Sequence, residues 1–146
     1  MKRTVILIAV SVILSSCGVS SSLYYWGGYS NGATVYENLA YRDYKTQMGE
    51  AVCSLLCAYE DMVTHPGGTR NVPPPGICAE YGYLLLRPDT ATIFAEKATS
   101  QQKSVFQSND YAALFAERGK AMIEMELEYY PESRRFLEPL LGKLTQ

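Results

Sequence analysis

The feature that most constrains the fold is an apolar stripe with helical spacing between positions 47 and 64. Its members recur every three or four residues, which places them on one face of an α-helix. They are Met48, Val52, Leu55, Leu56, Tyr59 and Val63. No segment alternates apolar and polar residues for long enough to predict a β-strand of useful length. The sequence therefore predicts an all-α fold in which this helix packs against its neighbours.

Further helices are predicted on both sides of this one. Their predicted bounds are 35–44, 75–86, 89–98, 99–106 and 110–130, with a last helix after a break at 131–133. Two residue pairs fit capping boxes, Thr34 with Glu37 and Thr99 with Gln102. Asp89 is expected to cap the helix that it opens. Pro139 is expected to kink or split the last helix, because proline lacks the N–H that a helix interior needs.

The N-terminus has the composition of a secretory signal. Lys2 and Arg3 precede an apolar run over 4–14, which is well short of the roughly 20 residues that a membrane-spanning helix needs. The run ends in Leu14-Ser15-Ser16-Cys17, which resembles the lipobox of bacterial lipoproteins. An uncleaved anchor, or a secreted protein with a chance cysteine, is the alternative. We expect a signal peptide over 1–16, a lipidated tether over 17–32 and a helical domain over 33–146.

The lipobox resemblance implies a membrane anchor on Cys17. In such signals the cysteine receives diacylglycerol, becomes the first residue after cleavage and is then acylated on its new amino group. Stable anchoring needs more than one lipid chain, and a triacylated cysteine meets this requirement. Gly18, rather than aspartate, follows the cysteine, a pattern similar to that of lipoproteins sorted to the outer membrane. We therefore expect an outer-membrane location with the domain facing the periplasm.

The charge balance argues against nucleic acid as a partner. The full chain has 13 basic and 15 acidic residues. The segment 1–16 contains Lys2 and Arg3 and no acid, so the chain from Cys17 onward carries 11 against 15, a net charge of -4. Nucleic-acid binding proteins concentrate basic residues, and no such cluster remains here. The roughly 130 remaining residues are enough for one domain with a modest core.

Residues 23–29, which we call the aromatic segment, contain the only tryptophan of the chain. The aromatic members are Tyr24, Tyr25, Trp26 and Tyr29. Aromatic side chains usually pack into a hydrophobic core, so the favoured interpretation is that the segment packs onto the first helices. The other interpretation is an exposed surface at which these four residues bind a partner.

Three cysteines remain once Cys17 carries lipid. Cys53 and Cys57 are one helical turn apart, at about 5–6 Å between Cβ atoms, whereas a disulfide needs roughly 3.5–4.5 Å. In an oxidising periplasm, a disulfide bond would therefore join Cys53 or Cys57 to Cys78. Three small, partly buried thiols are the equal alternative. A zinc site needs further ligands at short spacing, and the chain has a single histidine.

The sequence contains no recognisable catalytic set. A Cys–His pair of His65 with Cys57 or Cys78 is conceivable, but His65 lies in a Pro-Gly-rich stretch that ends a helix, where a polar ring is simply a helix-end group. Glu126 falls within an apolar stripe and is expected to be satisfied by tyrosine hydroxyls, or by an arginine such as Arg118 or Arg87. We expect no enzyme activity, no metal, no small-molecule substrate and no cofactor other than the lipid on Cys17.

The predicted helices at 75–86 and 110–130 resemble a tetratricopeptide unit. Gly82 and Leu85 match the small and large positions of its first helix, and Pro131 matches its terminal proline. Glu126 stands where such repeats usually have alanine, and 87–109 is far longer than the normal turn. One unit is not stable alone, so the earlier helices must complete the stack.

Several motifs in order resemble a family of small bacterial lipoproteins, the domain of unknown function numbered 4810. They are Cys17, then Tyr24-Tyr25-Trp26-Gly27-x-Tyr29, then Pro74-Pro75-Gly76 with Ala79 and Gly82, then Tyr130-Pro131-Glu132-Ser133 with Phe136, Leu140 and Leu141. The segment 87–109 departs from the short form of that family. The resemblance implies a Gram-negative envelope, a TPR-like helical domain and neighbouring small lipoproteins, one of them similar to the curli-secretion channel lipoprotein. It implies no activity.

Three functions follow as hypotheses. The first is a non-catalytic scaffold or assembly factor in a complex of envelope lipoproteins. The second is a regulator of peptidoglycan synthesis, which would need a longer tether than 18–22 gives. The third, and most remote, is a thiol or hydrolytic enzyme, which would depend on His65 or Cys78.

Overall fold

The chain is mostly helical over the part that the structure describes. The structure is a computed structural model, and it describes residues 22–46 and 49–144. The predicted signal peptide, Cys17 and the start of the tether lie outside the described residues. The prediction of a mostly helical chain is confirmed.

Seven α-helices and one short β-hairpin make up the described part of the chain. The helices are α1 (Val35–Thr46), α2 (Gly49–Thr64), α3 (Ile77–Leu86), α4 (Thr90–Lys97), α5 (Ser100–Phe106), α6 (Tyr111–Tyr129) and α7 (Arg134–Leu144), with a 3₁₀ turn at Pro131–Ser133. The hairpin consists of β1 (Tyr29–Ser30) and β2 (Ala33–Thr34), which pair antiparallel around Asn31 and Gly32. The helix bounds agree with the predicted ones to within about two residues, which is the usual uncertainty of helix ends.

Capping boxes open two of the seven described helices. Thr34 and Glu37 exchange hydrogen bonds at the start of α1, and Thr99 and Gln102 do so at the start of α5, so both predicted capping boxes are present. The prediction for Asp89 is wrong in its detail. Asp89 does precede α4, but its side chain makes no capping bond. It pairs with Arg87 instead, at 3.0 and 3.2 Å.

Pro139 does not split the last helix. It lies within α7, which runs as a single helix from Arg134 to Leu144. Phe136 on this helix is 64% exposed, whereas Leu137 is buried. The helix therefore covers the end of the fold with one face and leaves the other open to solvent.

The principal helix pair of the core is α3 with α6, and it crosses at two glycines. A Cβ atom placed on Gly82 would lie 2.7 Å from the carbonyl oxygen of Gly119 and 2.7 Å from Cγ1 of Ile123. These distances are shorter than any normal contact of a Cβ atom. The two backbones therefore approach as closely as they do because position 82 has no side chain.

The long segment between α3 and α6 is itself folded. It forms α4 and α5, which contribute Phe94 and Phe106 to the core. The ring of Phe94 lies edge-on to the rings of Phe106, Tyr111 and Phe115, at centroid distances of 4.9 to 5.4 Å. Edge-on packing is a favoured geometry for aromatic rings. The two short helices thus extend the core beside the start of α6.

None of the helices at 22–46 and 49–144 is both long enough and apolar enough to cross a membrane.

Candidate functional site

The start of the aromatic segment is bound to the loop after α2. The carbonyl oxygen of Ser22 accepts a hydrogen bond from the N–H of Thr69 at 3.1 Å. The carbonyl oxygen of Leu23 accepts one from Arg70 at 3.0 Å. Gly68 lies so close that a Cβ there would be 2.6 Å from the Leu23 oxygen. The chain is therefore fixed to the domain from Ser22 onward.

Tyr24 and Tyr25 attach the aromatic segment to two different helix ends. Tyr24 hydrogen-bonds the Tyr130 side chain at the end of α6, which helps to raise the pKa of Tyr130 after the larger effect of burial. The Tyr25 hydroxyl donates to Asp61 Oδ2 on α2 at 2.9 Å. This hydrogen bond is the main reason that the pKa of Tyr25 is raised. Both rings are half-buried.

Trp26 and Tyr29 complete the placement of the predicted partner-binding residues. The Trp26 ring is half-buried and packs on Tyr36 of α1. Tyr29 is 77% exposed, and its hydroxyl donates to the carbonyl oxygen of Gly32 at 3.0 Å. The structure thus brings Tyr24, Tyr25 and Trp26 onto the helices and leaves Tyr29 on the surface.

Four aromatic rings form a series from the aromatic segment into the core. Trp26 contacts Tyr36, Tyr36 contacts Tyr59, and Tyr59 contacts Tyr81, with centroid distances of 5.8, 5.8 and 5.5 Å. Tyr81 is completely buried. The series connects the surface around Trp26 with the centre of the domain.

Two carboxylates accept the hydroxyl groups along this series. Glu80 accepts from Tyr36 at 2.6 Å and from Tyr59 at 2.8 Å. Glu60 accepts from Tyr81 at 2.6 Å and forms an ion pair with Arg118. Burial, and then the neighbouring carboxylate, raise the pKa of both Tyr36 and Tyr81, so these phenols stay protonated and act as donors.

A small cavity lies where the aromatic series reaches the surface. Trp26, Thr34, Tyr36 and Glu37 line it, and its volume is about 200 Å³. Hydrogen bonds from the Thr34 backbone and side chain lower the pKa of Glu37, which keeps this carboxylate charged at neutral pH. The ion pairs among the described residues use Asp61, Asp89, Glu60 and Glu138, and do not use Glu37.

Glu126 is buried as expected, but the prediction of its partners is wrong. Glu126 Oε1 accepts a hydrogen bond from the N–H of Gly76 at 2.8 Å, and the backbone N–H groups of Cys78 and Ala79 also favour its charged form. Arg118 instead pairs with Glu60. Glu126 therefore acts as an N-terminal cap for α3, supplied from α6, where free N–H groups and the helix dipole attract an anion.

Replacing Glu126 with glutamine is expected to remove a pH-dependent loss of stability. Burial raises the pKa of Glu126 in the folded protein despite these N–H groups. A carboxyl group with a raised pKa contributes fully to the free energy of unfolding below its pKa in the unfolded chain. This contribution is lost as the pH rises through the pKa in the folded protein. A difference of one pH unit between these two pKa values corresponds to about 1.4 kcal/mol. The free energy of unfolding of Glu126→Gln should therefore fall less than that of the wild type between about pH 4 and pH 8.

Urea denaturation at a series of pH values measures this difference. Glu124→Gln is the matched control, because Glu124 is exposed on the same helix. The control should follow the wild-type pH profile. Parallel profiles for Glu126→Gln and the wild type would show that Glu126 titrates alike in the folded and unfolded chains, and would contradict the prediction.

The possible disulfide bond of Cys53 or Cys57 with Cys78 is not present in the structure. Cys53, Cys57 and Cys78 are all free thiols, as in the alternative interpretation of small, partly buried side chains. Burial raises the pKa of Cys53, raises that of Cys57 to about 11 and raises that of Cys78 to about 12. Burial thus favours the protonated thiol at all three positions, whereas the thiolate is the reactive form of cysteine.

His65 lies at the exposed end of α2. Its Nδ1 atom is 3.2 Å from Asp61 Oδ1 and 3.1 Å from the hydroxyl of Thr64. The ring thus makes its polar contacts with its own helix end. Within 22–46 and 49–144, no three His, Cys, Asp or Glu side chains are grouped closely enough to hold a metal ion.

Comparison with known proteins assigns neither a family nor a function to the chain. No model of a known protein family matches the chain, and neither a curated protein nor a solved structure is significantly similar to it. The resemblance to the TPR-like lipoprotein family therefore stays a prediction.

Proposed function

We propose that this chain is a lipid-anchored lipoprotein of the outer membrane and acts as a non-catalytic scaffold or assembly factor among envelope lipoproteins. The observation that carries the proposal is the attachment of the chain to the loop after α2, which begins at Ser22. Only residues 18–21 separate Ser22 from Cys17. Five residue steps span at most about 18 Å, so a lipid on Cys17 holds the domain against the membrane.

The helical arrangement supports a binding role of the TPR type. Helices α3 and α6 cross at Gly82 and Gly119, the close approach that the small positions of a tetratricopeptide unit allow. Pro131 follows the C-cap residue of α6, Tyr130, as a terminal proline follows the second helix of such a unit. Glu126 replaces the usual alanine and has a structural role, because it caps α3. Such units present extended surfaces to other proteins.

The proposed partners are other envelope lipoproteins, including one similar to the curli-secretion channel lipoprotein. Regulation of peptidoglycan synthesis is less well supported. It needs a domain that reaches away from the membrane, and the attachment at Ser22 leaves little chain for this. A thiol enzyme is also poorly supported, since the raised pKa values of Cys57 and Cys78 keep both thiols protonated.

Replacing Cys17 with alanine is expected to abolish lipid attachment and release the chain from the membrane. A terminal-alkyne analogue of palmitate, fed to Gram-negative cells that express the full chain, reports acylation. Membrane fractionation reports location. Cys57→Ala is the matched control, because it removes a cysteine that the fold leaves free. Full membrane retention of Cys17→Ala would contradict the proposed anchor.

Copurification tests the scaffold itself. Cells that carry the palmitate analogue are cross-linked, and the tagged full chain is isolated from detergent extracts. We expect a second acylated protein in the isolate from the wild type and not from Cys17→Ala. Recovery of the chain alone, under conditions in which its own acyl label is intact, would contradict a role in a lipoprotein complex.

A further inference from the structure

The cavity beside Trp26 combines aromatic surface with negative charge. The rings of Trp26 and Tyr36 provide its apolar walls, and Glu37 lies at its edge. Glu80 does not line the cavity, but it accepts a hydrogen bond from the hydroxyl group of Tyr36. The ion pairs of the described residues use neither Glu37 nor Glu80. Aromatic faces and a nearby carboxylate both attract a cation.

The size of the cavity limits what it can hold. Its volume is about 200 Å³, whereas pockets for whole small molecules usually measure about 300–1,000 Å³. A single side chain fits this space better than a cofactor does. The chain from Cys17 onward has a net charge of -4, which also favours a basic partner.

Two of the other surface cavities lack this combination. One is lined by Leu114, Glu117, Arg118, Ala121 and Met122, and another by residues of α3, α4 and α6 that include Arg87. Each of these contains an arginine, and neither has tryptophan or tyrosine in its wall. A third cavity has Glu96, Asp110 and Tyr111 in its lining, and so pairs carboxylates with a single tyrosine. The cavity beside Trp26 instead offers a cation two aromatic rings, one of them tryptophan, next to a carboxylate.

We propose that this cavity binds an arginine side chain of a protein partner, with the guanidinium on the rings of Trp26 and Tyr36 and next to Glu37. Arginine fits better than lysine because its planar group stacks on aromatic rings and donates paired hydrogen bonds to a carboxylate. The identification of the occupant as a protein rests on the proposed scaffold function. The cation site itself does not depend on the lipid anchor.

Trp26 supplies a local probe of binding, because it is the only tryptophan of the chain. The full chain in a non-ionic detergent is titrated with the peptide acetyl-Gly-Arg-Gly-amide while tryptophan fluorescence is recorded. The matched peptide carries citrulline, which has the shape of arginine without its charge. A third peptide carries lysine. We expect a saturable change with the arginine peptide, with a Kd of about 1–10 mM, weaker binding of the lysine peptide, and none of the citrulline peptide.

Glu37→Gln tests the carboxylate without removing the start of α1, because glutamine also completes a capping box. We expect it to weaken binding of the arginine peptide about 3- to 5-fold, the range of an exposed ion pair. Glu124→Gln removes the same charge from an exposed position on α6 and should leave the affinity unchanged. Circular dichroism confirms that both variants retain the helical content of the wild type.

Several outcomes would overturn the inference. Equal responses to the arginine and citrulline peptides would show that charge is not recognised. Lysine binding as tight as or tighter than arginine would contradict the stacked geometry. Equal losses of affinity for the arginine peptide in Glu37→Gln and Glu124→Gln would show only a general attraction of the peptide to an acidic protein. The arginine peptide could fail to bind while Cys17→Ala still releases the chain from the membrane and abolishes copurification of the acylated partner. That result would support the scaffold function and contradict this site.

Discussion

Gly82→Ala is expected to destabilise the fold by about 2–3 kcal/mol. The new methyl group would lie 2.7 Å from the Gly119 carbonyl oxygen and 2.7 Å from Cγ1 of Ile123. The Ile123 side chain can rotate, but the Gly119 oxygen is backbone and moves only if α3 and α6 separate. Separation loosens the packing along the whole helix pair, which outweighs the gain of about 0.5–1 kcal/mol from replacing glycine inside a helix.

Gly142→Ala provides the matched control for this substitution. Gly142 also lies within a helix, but a Cβ atom there would have no neighbour within 4 Å. Its replacement should be neutral or stabilising by up to about 1 kcal/mol. Urea denaturation followed by far-ultraviolet circular dichroism measures both changes. A Gly82→Ala variant within about 0.5 kcal/mol of the wild type, the usual range of surface substitutions, would contradict the close crossing.

The helices were predictable because their signals are local. Val52, Leu55, Leu56 and Tyr59 of α2 are buried, as their helical spacing predicts. A stripe three or four residues apart has one geometry in a helix, whatever packs against it. A capping box likewise depends on residues only three apart. The hairpin was missed because strands of two residues are too short to show alternation.

The partners of buried charges could not be predicted in the same way. Arg118 pairs with Glu60, 58 positions away, and Glu126 meets Gly76, 50 positions away. The sequence identifies a buried carboxylate, but it does not show which helix end or which arginine the carboxylate contacts. That choice depends on how α6 packs against both α2 and α3. Glu126 and Arg118 are eight residues apart on α6, so one helix supplies both groups to different neighbours.

The cavity beside Trp26 was predictable only in part. The sequence places an aromatic segment before the first helix, and packing onto that helix was the favoured interpretation. Glu37 was identified as a capping residue and not as part of a site. No sequence pattern points to Glu80, because its partners Tyr36 and Tyr59 are 44 and 21 positions away in the chain. The cavity arises from the fold of the segment across α1, which no short-range pattern describes.

Arg118→Met is expected to destabilise the fold by about 2–4 kcal/mol. The side chain of Glu60 is 9% exposed, and that of Arg118 is 28% exposed. Methionine keeps most of the aliphatic contacts of arginine but leaves the Glu60 carboxylate without a counter-charge. A buried, unpaired charge is costly because water no longer solvates it. The partial exposure of Arg118 places the expected loss slightly below that of a completely buried pair.

Arg134→Met separates this effect from the loss of any arginine. Arg134 also pairs with a glutamate, Glu138, but both side chains are more than half exposed. Exposed pairs one helical turn apart contribute about 0.3–0.5 kcal/mol, so this control should change the free energy of unfolding little. Urea denaturation at constant pH compares the two variants directly. Equal effects would mean that the Glu60–Arg118 pair is no more important than a surface contact.

The double variant Glu60→Gln with Arg118→Met then identifies the cause of the loss. Glutamine is neutral and its carbonyl can still accept the hydrogen bond from Tyr81, so the buried charge is removed while that hydroxyl stays paired. If the unpaired charge causes the instability, the double variant should be more stable than Arg118→Met alone by about 1–3 kcal/mol. If the double variant is as unstable as the single one, the loss comes from the contacts of the arginine chain itself. Tyr81 donates to Glu60 and stacks on Tyr59, so the ion pair lies at the buried end of the aromatic series, and the first outcome would show that the Glu60 charge needs its arginine there.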